Sequence, residues 1–317
     1  MRKVLITGGN GFVGSHLAEK LEERGDSVAL LDLAFNSNTE RLGCEKIRGD
    51  VADYGAVKDA VEGRDAVFHL AAVSRVAWGE KDPFLCWRTN VLGTLNVLEA
   101  CRKAETKPIL FYASSREVYG ESLYLPVNEN HPKNPKSVYG MSKLAAEKAC
   151  QAYSGRHDDS LPVNRVVFRF SNVYGSRRDL PERVIPKFMM KALLGEEITL
   201  FGGEQILDFT FIDDTVEGIL KAYDASLDVG AAEKIFGQDF HFVTGRGISV
   251  ADLARTIVDL TDSPSRVIQT DAKGFDVRRF VGDPTKSREA LGFEARVKLE
   301  DGLKILREEI APTIEAS

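Results

Sequence analysis

A chain of 317 residues exceeds a minimal domain and falls short of a multi-domain assembly, which predicts one large α/β domain or a main domain carrying a smaller one. At 43% hydrophobic and 28% charged residues the composition excludes global disorder. Forty-two basic against forty-eight acidic residues give a net charge of −6 with no basic arm or block, which argues against nucleic acid or an anionic membrane as partner.

The four cysteines (Cys44, Cys86, Cys101, Cys150) are far apart and form no C-x-x-C pair, as expected of free thiols in a reducing compartment. The five histidines (His16, His69, His131, His157, His241) show no metal-ligand spacing, so no metal is expected. No apolar run approaches the roughly 18 residues of a membrane span. The first strand begins at Lys3, which leaves no room for a signal peptide. A cytoplasmic enzyme or binding protein is the expectation.

Short aliphatic or β-branched runs alternate with helical stretches over the first 170 residues. Strands are predicted at Val4–Thr7, Ser27–Leu31, Glu45–Arg48, Ala66–Leu70, Ile109–Ser114 and Val163–Phe170. Helices are predicted at about Gly11–Arg24, Tyr54–Glu62, Thr89–Lys103 and Tyr139–Gly155. This alternation is the pattern of a parallel sheet covered on both faces, a doubly wound Rossmann-type fold. Beyond residue 170, prolines and glycines punctuate Arg177–Pro186 and Gly202–Gly203 and the alternation is lost. We therefore expect an NAD-binding domain over 1–170 and a smaller substrate-binding lobe over 171–317. Parts of 209–225 should return to the main domain.

Gly8-Gly9-Asn10-Gly11-Phe12-Val13-Gly14 follows a strand and opens a helix. Gly8, Gly11 and Gly14 allow a tight turn, backbone approach to a pyrophosphate and close helix–strand packing, with the anion at the helix N-terminus. Asp32 lies 18 residues past Gly14 at the end of the second strand, close to the spacing of a carboxylate that grips a ribose diol. It would repel a 2′-phosphate, and Leu33 supplies no arginine to receive one. NAD is expected over NADP; the bland alternative is Asp32 as a turn cap.

The G-x-x-G-x-x-G spacing, with Tyr139-Gly140-Met141-Ser142-Lys143 downstream, resembles the extended short-chain dehydrogenase/reductases, specifically the nucleotide-sugar epimerase/dehydratase family of UDP-glucose 4-epimerase type. Further landmarks are Gly49-Asp50-Val51, His69-Leu70-Ala71-Ala72, Asn90, Ser114–Gly120, Asn172-Val173-Tyr174-Gly175 and Asp208–Asp214. The resemblance spans nearly the whole chain. It implies Phe12 and Val13 beside the glycines at the cofactor, Asp50 and Val51 at the adenine, and Leu70, Ala71, Ala72 and Asn90 along it. Asn36 and Ser37 either touch the adenosine or are plain loop residues.

Tyr139 and Lys143 are four apart near a helix start, so their side chains share a face. A free tyrosine, with a pKa of about 10, is a poor base at neutral pH. A lysine ammonium and an oxidised nicotinamide nearby both favour the phenolate. Tyr139 is the expected general base on a sugar hydroxyl, and Lys143 should also hold the nicotinamide ribose. By resemblance Ser115, four residues before Tyr119, is the catalytic hydroxyl, and Ser114 is a structural one.

Sugar dehydratases that the chain resembles place Asp-Glu after that hydroxyl; here Glu117 is kept and Arg116 replaces the acid. Arginine stays protonated and is no proton donor at pH 7, which disfavours dehydration. Two readings of Arg116 stay open: a guanidinium directed at the sugar, or a solvent-facing loop residue paired with Glu117, the latter favouring a hexose. The resemblance puts Asn172 at a phosphate, Val184–Phe188 beside the base, and Thr199 to Phe201 over it. It also expects arginine before Asp208, where this chain has Leu207, so diphosphate binding is assigned to Arg278 and Arg279, with Arg177 or Arg178 as alternatives. The expected activity is 4-epimerisation of a UDP-hexose on bound NAD by a homodimer paired through Thr89–Lys103 and Tyr139–Gly155. The rivals are a 4,6-dehydratase, a uronate epimerase or decarboxylase, a reductase that releases its cofactor, and a non-catalytic NAD sensor.

Overall fold

A computed structural model describes residues 1–154, 163–271 and 277–315. Gly155, His157 and Asp276 lie outside the described residues. In chain order the first part comprises β1 (Lys3–Thr7), α1 (Phe12–Glu23), β2 (Ser27–Asp32), β3 (Glu45–Arg48), α2 (Tyr54–Val61), β4 (Ala66–His69), α3 (Val76–Lys81) and α4 (Pro83–Trp87). A π-helical turn at Arg88–Leu92 leads into α5 (Gly93–Lys103), followed by β5 (Ile109–Ser115), a 3₁₀ turn at Arg116–Val118, α6 (Val138–Ala152) and β6 (Arg165–Phe170). The remainder holds β7 (Asn172–Tyr174), α7 (Val184–Leu193), β8 (Ile198–Phe201), β9 (Ile206–Phe211), α8 (Ile212–Leu227), α9 (Val229–Ile235) and β10 (Asp239–Phe242). Then come β11 (Gly247–Ser249), α10 (Val250–Leu260), β12 (Val267–Thr270), β13 (Arg279–Phe280), α11 (Thr285–Leu291) and α12 (Leu299–Glu315).

Seven parallel strands form the main sheet in the order β10-β6-β5-β4-β1-β2-β3. Both faces are covered, so the central strands read as continuous apolar runs: β4 and β6 are buried at every residue. One apolar layer holds Leu5, Val67, Leu98 and Cys150 under α2, α5 and α6. The other holds Ile6, Phe68, Phe111 and Phe168 and runs without a break into Phe188, Phe211 and Leu306 of the later elements. This is the doubly wound Rossmann-type fold expected from the alternation.

Two strand paths diverge at the β1/β4 boundary, and ligands bind at such a switch point beyond the carboxyl ends of the strands. The glycine turn after β1 and the Leu70–Ala72 segment after β4 both lie there. Residues 239–242, assigned from sequence to the second lobe, instead extend the main sheet as β10. Phe240 and Phe242 are buried there, with Phe242 against Phe168 and Phe293. A smaller sheet, β11-β9-β13 with β7 added to β9, and the pair β12-β8 stand over the carboxyl edge. β7 follows β6 after a single residue, which fixes that sheet next to the carboxyl ends of β5 and β6. No helix among the described residues is long and apolar enough to cross a membrane.

Candidate active site

Gly8 has φ +69, and a Cβ there would lie 2.7 Å from the Ala71 nitrogen, so the turn after β1 presses against the end of β4. A Cβ on Gly14 would collide with the Gly8 carbonyl oxygen, which holds α1 tight against the turn. Gly11 caps α1 without a side chain and the first turn carries no acid, leaving its N–H groups for an anion. Asp32 accepts from the backbone N–H of Asn10 (2.9 Å) and of Leu33 (2.8 Å), and burial pushes its carboxyl above the usual range. A cradle that a Cβ would fill, free helix N–H groups and a fixed carboxylate fit a dinucleotide.

Asn10 was not singled out from sequence, although it organises the loop that follows β2. Its side-chain oxygen accepts from the Asn36 N–H (3.3 Å) and the Thr39 hydroxyl (2.8 Å), drawing the Asn36–Ser37 loop against the turn. Asp50 pairs with Arg88 (2.7 Å), and Val51 packs under Gly93, where a Cβ would lie 2.7 Å from Cγ2 of Val51. Asn90 is buried behind the Val73 segment. It accepts from the Val73 N–H (2.8 Å) and donates to the Ser142 hydroxyl (2.8 Å), so it braces the cofactor-side loop against α6. His69 bridges Thr7 (2.7 Å) and Thr94 (3.0 Å), and burial pushes its pKa down to about 3, leaving it a neutral link between β1, β4 and α5.

NAD over NADP carries a measurable expectation. Arg48, opposite Asp32 on β3, donates to the Leu33 carbonyl (3.1 Å), so a cation lies near the diol position although Leu33 itself supplies none. The fixed Asp32 carboxylate is closer to the turn, and calorimetry on cofactor-stripped protein should give NAD at least tenfold tighter than NADP, about 1.4 kcal/mol. Equal affinities would show that Arg48 offsets Asp32, and tighter NADP that it outweighs it.

A cleft of about 500 Å³ opens between the sheet edge and the second lobe. Ser115, Arg116, Glu117, Tyr139 and Lys143 line it from one side, and Asn172, Val184, Phe188, Thr199 and Phe201 from the other, with Val13, Leu70 and Ala72 at the cofactor end. Ser137 caps α6 by accepting from the Gly140 N–H (3.0 Å), which starts the helix just before Tyr139. Ser115, the last residue of β5, hydrogen-bonds Tyr139. Lys143 donates to the Ala113 carbonyl (2.8 Å) and lies 5.0 Å over the Tyr112 ring.

Burial pushes Tyr139 up to about 12, opposed by the Ser115 hydrogen bond and the Arg183 charge. Burial also lowers Lys143 to about 8. The Lys143 ammonium, expected to lower the tyrosine, donates to the Ala113 carbonyl, and the Arg183 charge acts on Tyr139 in the lowering direction.

Arg116 resolves into parts of both open readings. Its side chain is only 12% exposed and lines the cleft, so it does not face solvent. It nevertheless pairs with Glu117, NH2 to Oε1 at 2.9 Å, with its Cζ 5.6 Å over the Phe280 ring. The structure does not bring Arg278 and Arg279 into the cleft. Both are exposed and contribute backbone groups: the Arg278 carbonyl accepts from Ile206 and the Arg279 carbonyl from Ser122. Arg178 binds Glu19 (2.7 Å) and, with Arg177, borders a separate groove along α1 and α12. Asp208, buried, accepts from Thr244, Gly245 and Gly282 and so ties the small sheet together.

Cations missed from sequence occupy the cleft instead: Arg75, paired with Glu182 (3.2 Å), and Arg183, 3.4 Å from Asp179. Asp179 is buried with Oδ2 unpartnered, and burial pushes it up to about 6. Arg183 directly precedes α7, and a basic residue at a helix start carried no signal that could have marked it.

The chain matches the family described as "NAD dependent epimerase/dehydratase family" over residues 4–235. It is 32% identical over 308 residues to a putative UDP-glucose 4-epimerase of Methanocaldococcus jannaschii, covering 95% of this chain and 96% of that one. It is 31% identical to a UDP-N-acetyl-alpha-D-glucosaminuronate decarboxylase of Bacillus cytotoxicus, covering 96% of each. The solved UDP-glucose 4-epimerase of Thermotoga maritima with UDP-glucose superimposes with a TM-score of 0.89 at 30% identity, covering 98% of this chain and 99% of that one. The cofactor is NAD, and the chain is an enzyme belonging to the NAD-dependent epimerase/dehydratase family of nucleotide-sugar enzymes.

Proposed function

We propose that this chain is a nucleotide-sugar 4-epimerase acting on a UDP-linked sugar. The observation that carries the reading is the Arg116–Glu117 pair. A dehydratase needs an acid after Ser115 and a free carboxylate to take a proton at C5. Here the acid is an arginine, and it engages the carboxylate at 2.9 Å. NAD, which the Gly8–Gly14 turn, Asp32 and Lys143 would hold, would supply hydride-acceptor and hydride-donor chemistry at C4. The chain's own groups do the rest: Tyr139 takes the 4-hydroxyl proton, Ser115 aligns that hydroxyl, and Lys143 holds the cofactor ribose against β5. The cleft walls exclude water while the 4-keto sugar turns over.

Purified protein incubated with UDP-, GDP- and dTDP-sugars, with products read by NMR, should give the C4 epimer of a UDP-sugar with neither water nor CO₂ lost. A 4-keto-6-deoxy sugar or a pentose as main product would overturn the reading. The inward Arg116 removes the ground on which a neutral hexose was preferred.

Pairing of two copies is part of the same proposal. Phe84 (81% exposed), Trp87 (43%), Leu92 (45%) and Met141 (50%) present apolar surface on α4, the π turn and α6. Leu98 on α5 and Cys150 on α6 are buried within the chain, so Leu92 and Met141 supply the outward apolar surface there. Large apolar side chains grouped this way favour an isologous interface. Light scattering should return about twice the 35.0 kDa chain mass at micromolar concentration. A monomer would contradict it.

A further inference from the structure

Arg116 holds a feature that the epimerase chemistry leaves unused. Of its terminal nitrogens, NH2 binds Glu117, whereas NH1 is buried with no hydrogen-bond partner. A buried donor left unpaired is destabilising, and that cost is recovered when an acceptor arrives. Arg116 lines the catalytic cleft one residue beyond Ser115, with NH1 buried behind that lining. The fold elsewhere uses a guanidinium in the same way: buried Arg169 bridges two carboxylates, Glu147 at 2.8 Å and Asp239 at 2.5 Å.

Position selects the acceptor. Ser115 aligns the C4 hydroxyl, so its neighbour reaches the substituents flanking C4, which are the C3 hydroxyl and the C6 group on C5. Of these, C6 is the one that nucleotide sugars carry as an anion. A charge-assisted bond to a carboxylate is worth roughly twice a neutral one to a hydroxyl. We propose that Arg116 receives the C6 carboxylate of a UDP-uronate, that this is the substrate class of the site, and that the contact keeps the carboxylate on the sugar.

The last part follows from the chemistry of the intermediate. Oxidation at C4 makes the uronate a β-keto acid. Its C5–C6 bond can break, CO₂ leaving and the bonding pair passing through C5 to the C4 oxygen. The carboxylate charge disappears from C6 as that bond breaks. A guanidinium that stabilises the charged carboxylate therefore raises the barrier to CO₂ loss until hydride returns to C4.

The inference rests on the 4-epimerase reading, and the experiment separates the two. NAD-loaded wild type, Arg116→Gln and Arg116→Lys are assayed with UDP-glucuronate and UDP-glucose, with products read by NMR; UDP alone is titrated by calorimetry. Wild type should favour UDP-glucuronate in kcat/KM by at least tenfold. Arg116→Gln should reduce that ratio tenfold or more, chiefly through KM, and raise the share of UDP-pentose among the products. Arg116→Lys should fall between the two. UDP, which lacks the sugar, should bind wild type and Arg116→Gln within threefold of each other, which also reports an intact second lobe. A ratio that moves less than threefold overturns the proposal, as does an equal loss of UDP affinity, which would make Arg116 a diphosphate ligand. If wild type itself releases CO₂ while the ratio still falls in Arg116→Gln, the carboxylate contact stands, and retention and the epimerase reading both fail.

Discussion

Replacing Tyr139 by phenylalanine should lower turnover by at least two orders of magnitude and leave NAD binding within a few-fold of the parent. The substitution removes one hydroxyl from a buried ring and creates no cavity, so the fold is kept while the proton acceptor is lost. Ser115 cannot replace it, because a serine hydroxyl is a far weaker base than a phenolate. Lys143, lowered to about 8, is held on the Ala113 carbonyl. The chain's own environment leaves Tyr139 at about 12, so the phenolate becomes more populated as pH rises. Wild-type turnover should fall as pH is lowered through the working value in the loaded enzyme. The residual turnover of Tyr139→Phe should lack that limb. A variant within fivefold of the parent would place the base elsewhere.

The parts of this site legible in the sequence are those set by local geometry. A glycine turn between strand and helix, an acid at the next strand end, and a tyrosine and lysine one helical turn apart each occupy a short stretch of chain. There spacing alone dictates direction. Ser115 was found through resemblance; it ends β5, one residue beyond the expected strand, and hydrogen-bonds Tyr139.

What was not legible depends on long-range packing. Arg75 and Arg183 come from loops more than a hundred residues apart and meet only because the segment before α7 folds over the turn after β4. Arg278 and Arg279 carry suitable charges, yet both are exposed where the chain enters β13, and Phe280 is the residue buried there. Arg116 has a solvent-facing reading in any loop, and only the Phe280 ring and Glu117 turn it inward. β10 was hidden for a different reason. Its Phe-His-Phe alternation suggests a half-exposed strand, whereas His241 is buried at hydrogen-bond distance from the Tyr119 hydroxyl (2.6 Å) and is kept neutral by burial, its pKa pushed down to about 3.

Glu147→Ala should destabilise the protein by about 3–5 kcal/mol, read as a large fall in the urea midpoint, because it strands a buried cation. Arg169 on β6 is 1% exposed, and Glu147 grips it through both oxygens, Nε at 2.8 Å and NH2 at 2.9 Å. Asp239 shares NH2 with Glu147, and the Tyr119 hydroxyl and the Glu129 carbonyl accept from NH1, so the guanidinium cannot turn to water when Glu147 is removed. The exposed pair Arg255–Asp252 has the same 2.8 Å separation with 68% of the arginine side chain in solvent. Arg255→Ala should therefore cost less than about 1 kcal/mol. Burial, not distance, separates the two outcomes. The loss should also reach the active site, since Ser114 donates to Glu147 at 2.5 Å and Ser115 is its neighbour at the end of β5. Glu147→Gln retains the volume and an acceptor oxygen and should fall between wild type and alanine in both stability and turnover. If Glu147→Ala costs no more than Arg255→Ala, Asp239 and Tyr119 suffice to hold the charge, and the end of β5 is held by the sheet alone.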